Sequence, residues 1–184
     1  KPDNTPIEML FNEYFGGGMN TIVFQELRET RGLAYNAWAL YRQPEYQDQK
    51  EDFFTHIITQ NDKMIDCVQQ FQAILDNIPQ SDGAFQIAKD ALMKRLASQR
   101  TTKFGIIGAW LSARNLGLDY DLNRKVYETL PSLTMKDIVD FEQQQVARKP
   151  YRYIILGDEK ELDMATLQQY GPVRRVTINE IFGY

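Results

Sequence analysis

Arg28 and Tyr35 are the residues in this chain whose types and spacing most readily suggest chemistry. They lie seven positions apart in "LRETRGLAY", with Gly32 between them. Arg28 falls in the last turn of a predicted helix and Tyr35 at the start of a predicted strand, so a corner at Gly32 brings a guanidinium and a phenol together. One is a permanently charged, planar fork of donors, and the other is a hydroxyl that stays neutral at pH 7. Such a pair suits holding a peptide carbonyl, or stabilising negative charge that develops on it. A plainer reading stands beside this one: Arg28 pairs with Glu26 or Glu29 on a solvated face, and Tyr35 is a core residue with a satisfied hydroxyl.

The other chemical candidates are weaker. The triple glycine Gly16, Gly17, Gly18 has neither the preceding strand nor the following Lys-Ser/Thr that a phosphate loop requires, and reads as a corner between helices. His56 is the one histidine and lies in a strand-like stretch. Metal sites of the His-rich kind therefore cannot be built here. Asp62 and Asp66 stand one helical turn apart on what reads as a wet face, and Cys67 reads as a buried small hydrophobe. Ser112 and Ser132 sit in no Gly-x-Ser-x-Gly elbow. Arg174 and Arg175 suit a salt bridge or a contact between modules.

Several elements must position Arg28 and Tyr35. Pro6 suits a helical first turn, and Ile7, Leu10, Phe11 and Tyr14 keep helical spacing up to Gly16. Asn20 or Thr21 caps a second helix with Val23, Phe24 and Leu27 on one side, closed by Gly32 in a left-handed conformation. Residues 33–42 read as a strand with Tyr35, Ala37, Ala39 and Tyr41 on one face and Asn36, Trp38 and Leu40 on the other. "DFFTHIITQ" reads as its antiparallel partner. The middle is helical: Met64, Val68, Phe71, Leu75 and Ile78 share one face, and a second helix starts at Ser81 or Asp82 with Phe85, Ala88, Leu92 and Leu96 inward. A third helix spans 104–117, and "TMKD" reads as a capping box opening a fourth. "YRYIILGD" (151–158) and "VRRVTI" (173–178) read as strands, with a helix over 160–170 closed by Gly171 between them. The class is α+β: a small, mostly antiparallel sheet with helices packed on one face.

At 184 residues, 43% hydrophobic and 12% aromatic, the chain has the size and apolar content of one module with its own core. Lys and Arg total 21 against 25 Asp and Glu, a net charge of −4 without a single-sign block. That balance gives no case for nucleic acid or an anionic membrane as partner. A lone cysteine excludes an internal disulfide and leaves a reducing cytosol and a bacterial periplasm equally open. No apolar run approaches the roughly 20 residues that cross a bilayer. The sequence begins at Lys1 and enters a helix-like stretch almost at once, which suggests a piece of a longer protein.

"YFGGGMNTIVFQELRETRGLAYNAWA" resembles the glycine-rich corner and the "LRE-x-RGLAY" segment of the C-terminal modules of insulinase, or pitrilysin, family zinc metallopeptidases, relatives of the mitochondrial processing peptidase. A looser likeness runs through "YIILGD" to the ending "YGPVRRVTINEIFGY". The resemblance implies an α+β clamshell module from the C-terminal half of a zinc endopeptidase, closing a chamber around peptide or unfolded polypeptide. It further implies that Arg28 and Tyr35 contact the substrate backbone beside the scissile bond. The family's zinc site, an inverted H-x-x-E-H helix with a downstream Glu, is not in this sequence. Zinc and general base would come from an N-terminal half in the same chain or a partner subunit, and this chain alone would be inactive. The family's modules also carry a strand upstream of the opening helix that these residues do not contain. The alternative implied by the same resemblance is a non-catalytic structural or assembly subunit that keeps the fold.

Overall fold

The structure, a computed structural model, describes residues 4–183. Helix α1 (Thr5–Phe15) carries Pro6 in its first turn and buries Leu10, Phe11, Tyr14 and Phe15. Helix α2 (Ile22–Phe24) widens without a break into a π-helical segment, Gln25–Thr30, and the chain then reverses at Gly32 into β1 (Ala34–Arg42). β1 pairs antiparallel with β2 (Asp52–Thr59), and these two strands form the only sheet among the described residues. The helical layer follows: α3 (Met64–Asp76), α4 (Asp82–Ser98), α5 (Lys103–Asn115), α6 (Leu122–Thr129) and α7 (Met135–Gln145), then the short α8 (Met164–Leu167) and α9 (Ile178–Phe182).

The capping chemistry explains most of the helix starts. The Ser81 hydroxyl accepts from the Ala84 amide at the head of α4, and Thr134 and Asp137 form the expected capping box at the head of α7. Asp163 caps α8 instead of the chain entering a helix at residue 160, so that helix is shorter than its sequence suggests. The fold class agrees with the sequence reading, with helices against one face of a small antiparallel sheet.

Helix α1 is the hub. It packs against α4, α6, α7 and β1. Phe11 stacks on Phe15 at 4.9 Å and meets Phe141 of α7 at 5.1 Å, and the same Phe141 takes the edge of Tyr41 from β1. The Tyr14 hydroxyl donates to the Pro79 carbonyl (2.6 Å) and accepts from the Ser81 amide (3.0 Å), tying α1 to the turn between α3 and α4.

α1 also seals the outer edge of β1. The Asn12 side chain donates to the Tyr41 carbonyl (2.9 Å) and accepts from the Tyr41 amide (2.8 Å), as a neighbouring strand would. The Ala39 amide donates to the Gly16 carbonyl (3.1 Å). That approach leaves no room at residue 16: a Cβ there would lie 2.4 Å from the Ala39 oxygen. At Gly17 it would lie 2.8 Å from the Asn12 oxygen, whereas Gly18 faces open space.

Two expected strands do not form. Residues 151–156 and 172–177 have no ladder partner, and Ile178 starts α9. Their β-branched and aromatic composition suits a strand, but a strand needs a neighbouring strand edge to pair with, which sequence composition does not supply. Ile154 is 87% exposed and Leu156 fully so.

Two carboxylic acids lie within the core. Glu8 is held by the Gln43 side-chain amide. Glu142 on α7 has no accessible surface; Gln143 donates to its Oε2 (2.8 Å), and its Oε1 meets no partner among the described residues. Burial pushes the Glu142 carboxyl from 4.5 up to about 7, against the opposing pull of Gln143 and Arg148, with Asp76 adding a small push upward.

Two predictions follow from this packing. Gly16→Ala should lower stability by about 1–3 kcal/mol through overpacking against β1, while Gly18→Ala should stay within about 0.5 kcal/mol; urea unfolding midpoints compare them. Glu142 binds its proton more tightly folded than unfolded, so its contribution is full below about pH 4.5 and is lost as pH rises through about 7. Glu142→Gln should therefore stabilise the protein at pH 8, by on the order of 2–3 kcal/mol, and flatten the stability profile between pH 4.5 and 7.

Candidate functional site

The corner between α2 and β1 is built from two local irregularities. In the first, Val23 and Leu27 anchor the helical stretch in the core, and the π-helical segment carries Arg28 past them to the surface. Its end is wide: the Gly32 amide donates to the Arg28 carbonyl (3.0 Å) and the Leu33 amide to the Leu27 carbonyl (2.8 Å). Each bond spans one residue more than in the equivalent α-helical ending. Gly32 sits at φ +60°, the left-handed conformation expected of it.

The second irregularity lies in β1. Ala34 pairs with Thr59 and Asn36 with Ile58, so β1 spends two residues where β2 spends one. Tyr35 is the extra residue of this bulge. The simple alternation placed Tyr35 on the inner face with Ala37, Ala39 and Tyr41. Instead Ala34 joins that buried face and Tyr35 is turned outward, 74% exposed. The Thr59 hydroxyl, donating to the Leu33 carbonyl at 2.6 Å, pins the bulge to β2.

Arg28 and Tyr35 meet at this corner. The guanidinium carbon lies 4.9 Å from the centre of the Phe24 ring and 5.7 Å from that of Tyr35. Arg28 also makes a loose ion pair with Glu29 at 3.6 Å, both side chains being about half exposed, while Glu26 lies instead near Arg31. The plainer reading is thus present in part: the Arg28–Glu29 contact exists, but Tyr35 is not a core residue. Exposed pairs of this type contribute under about 1 kcal/mol, which leaves the guanidinium available to a stronger acceptor. The Tyr35 hydroxyl has no hydrogen-bond partner among the described residues.

Phe24 was legible only as part of an apolar helix face; its ring also forms the floor beneath Arg28. From the corner the outer face of the sheet leads away through Trp38, Phe54, His56 and Ile58. Trp38 stands 5.5 Å from Phe54 and 5.7 Å from His56, ring to ring. His56 is therefore an exposed member of an aromatic ladder.

Among the described residues no group of three or more His, Cys, Asp or Glu side chains could hold a metal ion. The residues present do not fit a catalytic zinc. Cys67 is buried, and desolvation raises its thiol to about 11, so it is not a thiolate nucleophile at neutral pH. No helix among the described residues is long and apolar enough to cross a membrane.

Comparison with known proteins agrees with this architecture. Residues 3–92, which include the whole corner and both strands, match the sequence model described as "Peptidase M16 inactive domain". A crystal structure of a peptidase M16 inactive domain from Pseudomonas fluorescens superposes with a TM-score of 0.61 at 20% identity. That likeness covers 77% of this chain and 34% of the other, so the chain spans about a third of its structural relative. No curated protein sequence matches the chain.

Because both side chains sit at the surface and neither supports the core, Arg28→Ala and Tyr35→Phe should each change unfolding free energy by less than about 1 kcal/mol. Thermal denaturation of the single variants checks this.

Proposed function

We propose that the chain is the non-metal, C-terminal module of an insulinase-like M16 zinc endopeptidase, and that it positions a peptide for cleavage through Arg28 and Tyr35. The observation that carries this reading is their convergence at an exposed corner, where a π-helical segment and a β-bulge each depart from regular geometry to turn them outward. Irregularities of both kinds recur where a side chain must be aimed. The guanidinium and the phenol act as donors toward the carbonyl of a bound peptide, and toward the oxygen as it gains negative charge during attack by water. The outer face of the sheet, with Trp38, Phe54 and Ile58, supplies an apolar floor for the residues that flank it.

The zinc and the general base belong to another half, in the same polypeptide or in a partner subunit, and the two halves enclose the substrate between them. The chemistry is hydrolysis of a peptide bond. The match to an inactive M16 domain over the segment containing the corner supports this division of labour.

In the complete peptidase, Arg28→Ala and Tyr35→Phe should each lower turnover by on the order of a hundredfold, as loss of one oxyanion or carbonyl donor does, with folding intact. Steady-state hydrolysis of an unstructured peptide measures the effect. Unchanged turnover in both variants removes the positioning role. A full-length protein with no H-x-x-E-H helix and no hydrolysis would favour the assembly role instead.

A further inference from the structure

The turn that ends α7 is built around a buried acid. Glu142 has no accessible surface, and the chain folds back on it: the amides of Val146 and Ala147 both donate to its carbonyl at 2.8 Å. Its carboxyl is served on one side only. Gln143 donates to Oε2 at 2.8 Å while also reaching the Asp76 carbonyl of α3 at 3.2 Å, and Oε1 meets no hydrogen-bond partner among the described residues. Arg148, next in the turn, takes φ +55°, the one non-glycine residue with positive φ among the described residues. A left-handed residue with a side chain persists only where its surroundings hold it there. The returning chain does so: the Tyr151 hydroxyl donates to the Val146 carbonyl at 2.5 Å, and the Tyr151 ring packs against Phe53 of β2, centre to centre 5.9 Å.

Tyr151 is also the root of the segment that follows. Residues 152–157 make no backbone hydrogen bond among the described residues; beyond Tyr151 they are tied by the Tyr153 hydroxyl to Gln72 (3.2 Å) and by Gly157 packing at Asn61. Residues 149–152 form one wall of a cleft of about 730 Å³ whose opposite wall is residues 49–53. Whatever loosens the turn from Val146 to Tyr151 therefore widens that cleft.

A neutral carboxyl tolerates the Glu142 site, because it carries its own O–H donor and no charge to desolvate. A carboxylate there has a buried oxygen without a donor, with the anion of Asp76 acting against it and the cation that favours it, Arg148, exposed on the turn. Tyr151 lies within the field of Glu142, Tyr41 of β1 and Tyr153 act in turn on Tyr151, and Glu8 of α1 acts on Tyr41. We propose that Glu142 is a proton-operated latch: neutral, it lets the turn close over it and hold Tyr151 against β2; ionised, it drives the turn open, so that Arg148 and water reach the carboxylate and residues 149–157 swing away from the cleft. The direction follows from burial, which raises the carboxyl from 4.5 to about 7. The closed turn binds the proton more tightly than the open one, so acid closes the latch and it is released as pH rises through about 7. With the open turn titrating at the ordinary 4.5, the open fraction rises about tenfold between pH 6 and 8. The latch is independent of any substrate role for Arg28 and Tyr35.

Limited trypsin digestion of the full-length protein tests it, read by mass spectrometry as cleavage after Arg152 relative to cleavage after Arg95 of α4. Taking the ratio within one protein cancels the pH dependence of trypsin itself and any global unfolding, which exposes both sites alike. In the wild type the ratio should rise about tenfold between pH 6 and 8, and in Glu142→Gln it should stay within about twofold. Tyr151→Phe, which removes the closing hydrogen bond, should raise the ratio several-fold already at pH 6. A ratio that stays flat in the wild type, that rises equally in Glu142→Gln, or that Tyr151→Phe leaves unmoved at pH 6 overturns the proposal.

Discussion

The close approach of Gly16 to Ala39 is the contact on which the rest of this structure depends. A helix normally keeps a side chain's width between its axis and a strand, and removing the Cβ at residue 16 lets the end of α1 come within hydrogen-bonding reach of β1. Once there, α1 does two jobs. Its apolar face, with Phe11 and Phe15, meets α7 and the inner side of the hairpin, while Asn12 satisfies the backbone of Tyr41 as a strand would. The sheet is held against the helical layer by backbone contacts as well as by oil-like packing.

That anchoring makes the corner at Gly32 tolerable. A π-helical segment and a β-bulge are each less stable than the regular structures they interrupt, and both lie between Gln25 and Asn36 here. They persist because Val23 and Leu27 on one side and Ala37 and Ala39 on the other are fixed in the core, so the chain between them must absorb the mismatch. The extra residue surfaces as Tyr35, and the widened turn delivers Arg28 beside it. Unbroken alternation would have turned the phenol to the inner face with Ala37 and Ala39.

The same logic of paired and unpaired backbone runs through the sheet. β1 is satisfied on both sides, by β2 and by α1, while β2 is satisfied on one. Residues 151–156 have strand-like composition and lie beside β2 without a ladder, which leaves Ile154 and Leu156 in solvent.

The local signals were readable in the amino-acid order. Pro6 marks a helix start because its fixed φ suits a first turn that needs no N–H from it, Ser81 and the Thr134–Asp137 pair do so through hydrogen bonds that span three residues, and Gly32 marks a left-handed reversal because other residues resist that conformation. The hydrophobic spacing of α1, α3 and α4 named the core, and the proximity of Arg28 and Tyr35 followed from a helix, a glycine and a strand in succession. Tertiary structure alone decided the outward turn of Tyr35, since a bulge arises from the register between two strands, and period-two alternation assumes there is none. It decided as well that 151–156 and 172–177 are not strands, because a ladder is a relation between distant segments. Sequence composition describes what each stretch can pair with; only the fold determines whether a partner stands beside it.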